Sequence, residues 1–90
     1  MGSLDERVYQ PTGQVLSRVL DGEAVLLDLG GGQYYGLDPV GTEVWRGLEA
    51  GATPSELVRR VVAAYDVDPD TARRDIEALL SELLARKLIV

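Results

Sequence analysis

The sequence predicts a small α+β fold in which three antiparallel strands are followed by three helices. Three observations predict it. Two turn signals, Asp21-Gly22 and Gly30-Gly31-Gly32, divide the first 40 residues into apolar, β-prone stretches. Three later dipeptides, Asp38-Pro39, Thr53-Pro54 and Asp68-Pro69, each place a capping residue before a proline at the first helical position. Each is followed by apolar residues at helical spacing. With 90 residues the chain holds one domain at most, with a small core.

The first strand is expected over residues 14–20, where Val15, Ser17 and Val19 share one face and Leu16, Arg18 and Leu20 the other. Asp21-Gly22 is a two-residue hairpin signal. The second strand is expected over residues 23–29, with Val25, Leu27 and Leu29 on the buried face and Asp28 opposite. The glycine run then reverses the chain into a third strand over residues 33–37, rich in tyrosine. In such a meander the third strand is an edge, and its outer row of N–H and C=O groups is unpaired unless something covers it. Residues 1–13 show little periodicity and read as a loose N-terminal arm that Val8 and Tyr9 can pin to the body.

The first helix carries Val40, Val44, Trp45 and Leu48 as its apolar stripe and should end near Ala50-Gly51. Trp45 reads as a core residue. The second starts with Thr53 and Glu56 at capping-box spacing, carries Leu57, Val58, Val61, Val62 and Tyr65, and should end near Asp66-Val67. The third is expected from Pro69 to Arg86 or Lys87, with Ala72, Ile76, Leu79 and Leu83 along its centre. Leu80 and Leu84 fall to one side, beside Arg73 and Glu77, so the apolar face is wider than one contact needs. Leu88-Ile89-Val90 reads as an apolar tail folded against the body.

Composition narrows the function. There is no cysteine and no histidine, which removes thiolate chemistry, the commonest general base and the commonest metal ligand. Asp66, Asp68 and Asp70 have the spacing of a metal-binding run, but Pro69 interrupts it and a helix cap explains it. No Lys-Ser/Thr follows the glycine run, so it is a hairpin turn and not a phosphate loop. No catalytic residue, metal or cofactor is expected. A net charge of −6 disfavours nucleic acid as a partner, including stacking on Tyr34-Tyr35. No stretch has the length of a membrane span and no signal peptide is seen, so a cytoplasmic location is expected.

The residues also carry a resemblance. Tyr35-x-Leu37, Gly41, Val44-Trp45, Leu48, Gly51-x-Thr53, Glu56-Leu57, Tyr65-x-Val67 and Asp68 fall in the order and spacing of a known pattern. Ala72, Asp75-Ile76, Leu80, Leu83 and Leu88-Ile89 continue it. The sequence resembles the PqqD-like family, whose members are also called RiPP recognition elements, over residues 15–90. The resemblance implies a winged-helix-like domain over residues 14–90. It implies a non-catalytic role: binding the leader segment of a ribosomally made precursor peptide. In that family the leader adds as a strand to the third strand and lies in a groove against the third helix.

Stand-alone members of this length look like those of lasso-peptide pathways. There the partners are a leader peptidase of cysteine-protease type and an ATP-dependent cyclase. Carried onto this chain, the peptide-binding residues would be Gln33, Tyr34, Tyr35, Gly36, Leu37 and Asp38 on the strand. On the helix they would be Arg73, Ile76, Glu77 and Leu80. The alternatives are a PqqD-type peptide chaperone for a radical SAM enzyme, a winged-helix DNA-binding domain, and another protein-interaction module.

Overall fold

In the computed structural model, which describes residues 7–90, the turn signals produce a meander of β1 (Val15–Leu20), β2 (Glu23–Asp28) and β3 (Gln33–Gly36). All pairings are antiparallel, in the order β1-β2-β3. Asp21 and Gly22 take φ of 54° and 81°, the pair of positive values that a type I′ hairpin requires. In the second turn Gly32 (φ 71°) donates its N–H to the Asp28 carbonyl at 2.7 Å, and the Asp28 side chain accepts the Gly30 N–H at 3.0 Å.

The buried face of β2 differs from the expectation. Ala24 and Leu26 are buried, Val25 and Leu27 are half-buried on the other face, and Leu29 is 51% exposed. The lighter row faces inward because the first helix, α1 (Pro39–Glu49), packs on it. Thr42 of α1, 1% exposed, accepts the Ala24 N–H on its Oγ1 at 2.7 Å and turns its hydroxyl toward the Leu37 carbonyl at 3.4 Å. A small residue at position 24 leaves room for that approach. Thr42→Val keeps the shape and leaves the buried Ala24 N–H unpaired. It is expected to cost about 1–3 kcal/mol, read as a lower urea midpoint with an unchanged slope.

The three helix starts form as the dipeptides predict. Asp38 accepts the Gly41 N–H at 2.7 Å, and Asp68 accepts those of Asp70 and Thr71 at 3.0 and 3.2 Å. At α2 (Pro54–Ala64), Thr53 and Glu56 close a capping box at 3.2 and 2.7 Å. The backbone N–H of Thr53, and then its hydroxyl, hold the Glu56 carboxyl below its ordinary range. α2 stops short of the expected Asp66-Val67. Tyr65 is already extended (φ −133°, ψ 147°), and its hydroxyl reaches back to the Pro39 carbonyl at 3.1 Å.

α1 and α3 (Pro69–Ala85) end in the same way. Ala52 N–H bonds Gly47 O and Gly51 N–H bonds Leu48 O after α1, while Leu88 N–H bonds Leu83 O and Lys87 N–H bonds Leu84 O after α3. Both are Schellman turns, with Gly51 (φ 82°) and Lys87 (φ 61°) in the left-handed position. The second turn aims Leu88 and Ile89 into the core, at 0% and 2% exposure, as the apolar tail predicts.

The core gathers Leu26, Val44, Trp45, Leu48, Leu57, Val58 and Val61 with Ala72, Ile76, Leu80 and Leu83 of α3. On α3 the buried stripe is rotated from the expected one: Leu80 is 4% exposed, while Leu79 is only half-buried. Of the arm, residues 1–6 lie outside the described residues. From Gln10 to Thr12 the arm runs antiparallel to the tail. Gln10 and Val90 exchange N–H···O bonds of 3.0 and 2.8 Å, and Thr12 N–H bonds Leu88 O at 2.9 Å. Tyr9 packs against the core.

Candidate functional site

The free edge of β3 follows from hydrogen-bond parity. Leu37 N–H bonds Ala24 O at 2.8 Å, which makes Leu37 a hydrogen-bonded pair with β2. Such pairs alternate along an antiparallel ladder. With Leu26 opposite Tyr35 and Asp28 opposite Gln33, the main-chain groups of Gln33 and Tyr35 also turn inward to β2. Those of Tyr34 and Gly36 point outward, where no strand pairs with β3.

That edge faces α3 across a gap. No Cα of β3 lies within 8 Å of a Cα of α3. The gap holds a depression of about 550 Å³, lined by Gly36, Leu37 and Asp38 on one side and by Asp75, Ile76, Ala78, Leu79 and Glu82 on the other. Val40, Gly41 and Val44 of α1 complete its lining. A second depression of about 270 Å³ continues it toward the C-terminal end of α3, lined by Tyr34, Tyr35, Leu79, Glu82, Leu83 and Arg86. The groove thus runs with the last residues of β3 beside α3 from Asp75 to its C-terminal end.

Adjacent tyrosines divide between the two sheet faces. Tyr35 lies on the helix side, where the Arg86 guanidinium stands over its ring at 4.3 Å and the ring packs on the core. Its hydroxyl donates to Gln33 Oε1 at 2.7 Å. Glu82, at 3.0 Å, and then Tyr35 favour the charged form of Arg86 and raise its pKa. Tyr34 is on the outer face, 71% exposed, beside Leu16, Leu20, Val25 and Leu27 at a depression of about 390 Å³. A Cβ added at Gly36 would meet nothing within 4 Å, so the fold itself leaves space there.

The structure therefore brings together Tyr34, Tyr35, Gly36, Leu37, Asp38 and Ile76 along the groove, while Gln33 lines neither depression and only accepts the Tyr35 hydroxyl. It does not bring Arg73, Glu77 and Leu80 to them; none of the three lines either depression. At 100° per residue, Arg73 and Glu77 lie about half a turn from Asp75, Leu79 and Glu82. Leu80 is in the core, and Glu77 turns Oε2 into the protein, where it has no hydrogen-bond partner among the described residues. The flank beside β3 is instead Asp75, Leu79, Glu82 and Arg86, which the sequence reading did not select. Leu79 had a signal, as an apolar residue beyond what the core stripe needs. The other three had none, because exposed charges on a helix are ordinary.

Comparison with known proteins bears on this groove. The profile of the family described as Coenzyme PQQ synthesis protein D (PqqD) matches residues 23–89. The chain belongs to the PqqD family. Two solved structures share the PqqD-like fold of this chain at a TM-score of 0.83. One, TbiB1 in complex with the TbiA(β) leader peptide, is 40% identical, and the match covers 89% of this chain and 93% of that one. The other, a lasso peptide synthetase B1 complexed with the leader peptide, is 24% identical and covers 93% and 99%; it bears on the fold alone. No curated protein matches. Among the described residues there is no cluster of carboxylates able to hold a metal, and no helix is long and apolar enough to cross a membrane.

Proposed function

We propose that this chain binds the leader segment of a ribosomally made precursor peptide as a fourth strand along β3, without catalysing a reaction itself. The observation that carries the reading is the unpaired edge at Tyr34 and Gly36, set across a groove from Leu79 of α3. An edge strand offers main-chain bonds to any extended chain, and alternate side chains then fall into the adjoining groove. The 40% identity to TbiB1, whose structure contains a leader peptide, supports this choice of ligand. The resemblance carried by the sequence points to the pathway of a lasso peptide. The leader would be presented to a leader peptidase of cysteine-protease type and to an ATP-dependent cyclase in the cytoplasm. The recognition domain spans residues 14–90, and the arm before it joins the tail through Gln10 and Thr12.

The test is hydrogen exchange by NMR, with the TbiA(β) leader peptide as probe. Strand addition protects the amides of Tyr34 and Gly36 by one or more orders of magnitude. Tyr35 and Leu37, already bonded to β2, change little. Binding with no change at Tyr34 and Gly36 rejects strand addition.

A further inference from the structure

The groove is not uniform in charge, and its pattern specifies an occupant. At the end beside Gly36 the apolar lining is rimmed by two carboxylates, Asp38 and Asp75. Asp38 Oδ1 is engaged in capping α1. Asp75 is exposed, and its carboxylate makes no hydrogen bond or ion pair with another described residue. At the other end, Glu82 is paired with Arg86 at 3.0 Å, and Arg86 stands over Tyr35 at 4.3 Å. The acidic charge left open to an incoming chain is therefore at Asp75, and an incoming cation at the far end would meet Arg86.

Spacing turns this into a sequence rule. Asp75 and Leu79 are about 6 Å apart along the helix axis. Alternate residues of a strand, which face the same way, are about 6.7 Å apart. One extended chain thus sets one side chain at Asp75 and the next of the same face at Leu79. We propose that the groove selects an extended peptide that places an aliphatic side chain on Leu79. Two positions away on the same face it places a lysine or arginine at Asp75. Asp75 is then a residue that sets specificity. This rests on the reading of the groove as the leader site.

The experiment is a substitution scan of the TbiA(β) leader peptide by calorimetry, against the wild-type chain and Asp75→Asn. An alanine scan locates the aliphatic anchor, and a lysine scan locates the position that welcomes a cation. Lysine two positions from the anchor, on one side of it, is expected to tighten binding about three- to fivefold at low salt, the size of a rim ion pair. The gain should vanish in Asp75→Asn and should shrink at 0.5 M salt. Binding with a flat lysine scan, or a gain that survives Asp75→Asn, overturns the assignment of Asp75 and leaves the leader reading standing. No binding of the parent peptide to the wild-type chain overturns both.

Discussion

Leu79→Asp is expected to fold normally and to weaken binding of a leader peptide about a hundredfold or more. Leu79 lines both depressions of the groove and is only half-buried, so its side chain is available to an incoming chain. Burying an apolar anchor against it is worth about 1.5–3 kcal/mol, roughly one to two orders of magnitude in affinity. A carboxylate in its place loses that term and must also be desolvated when the peptide closes over it. The free protein is affected far less, because the new charge keeps contact with water. Calorimetry with the TbiA(β) leader peptide reads the affinity, and circular dichroism confirms the fold. A folded variant that binds as tightly as the wild type would exclude the α3 flank of Asp75, Leu79 and Glu82 as the peptide site.

What was legible in the sequence differed between elements for physical reasons. The helix starts were written in residues whose roles are local: a side-chain acceptor at the cap and a proline whose missing N–H does no harm at the first position. The hairpin at Asp21-Gly22 was equally local, since few residues accept two successive positive φ values. The faces were not local. In β2, Ala24, Val25, Leu26, Leu27 and Leu29 are all apolar, so alternation did not single out a row. The heavier row was expected inside, yet the row that α1 can approach most closely is the one with Ala24.

The same ambiguity misplaced the groove. Leu79, Leu80, Leu83 and Leu84 span an arc of about 140° on α3, wider than one contact needs. A small rotation of the buried stripe, well under the roughly 100° step between neighbouring residues, exchanges Leu79 and Leu80 between core and surface. It thereby moves the groove from the Arg73–Glu77 side to the Asp75–Glu82 side. The free edge of β3 was legible because it follows from topology alone. The helix half depends on rotation, which tertiary packing sets. Thr42 carried no signal at all, because its hydroxyl matters only where α1 meets the opening of the β2–β3 ladder.

Leu80→Asp, one position further along, is expected to leave the chain unfolded at 25 °C. Leu80 is 4% exposed and packs in the core with Ala72, Ile76 and Leu83. A domain of this length has about 5–13 kcal/mol of stability in all. Removing the buried leucine forfeits about 2–5 kcal/mol, the range of Leu→Ala changes in cores. The new carboxylate is buried unpaired or taken up protonated, at a further cost of several kcal/mol. The sum is of the same size as the whole. Leu80→Ala supplies the graded control: it should remain folded with a urea midpoint lowered in proportion to about 2–5 kcal/mol. If Leu80→Asp instead unfolds cooperatively near the wild-type midpoint, and Leu79→Asp is the variant that collapses, then α3 is rotated in solution from the structure described. The groove would then lie on the Arg73–Glu77 flank. The two aspartates thus fix, by opposite outcomes, which leucine holds the fold and which one meets the ligand.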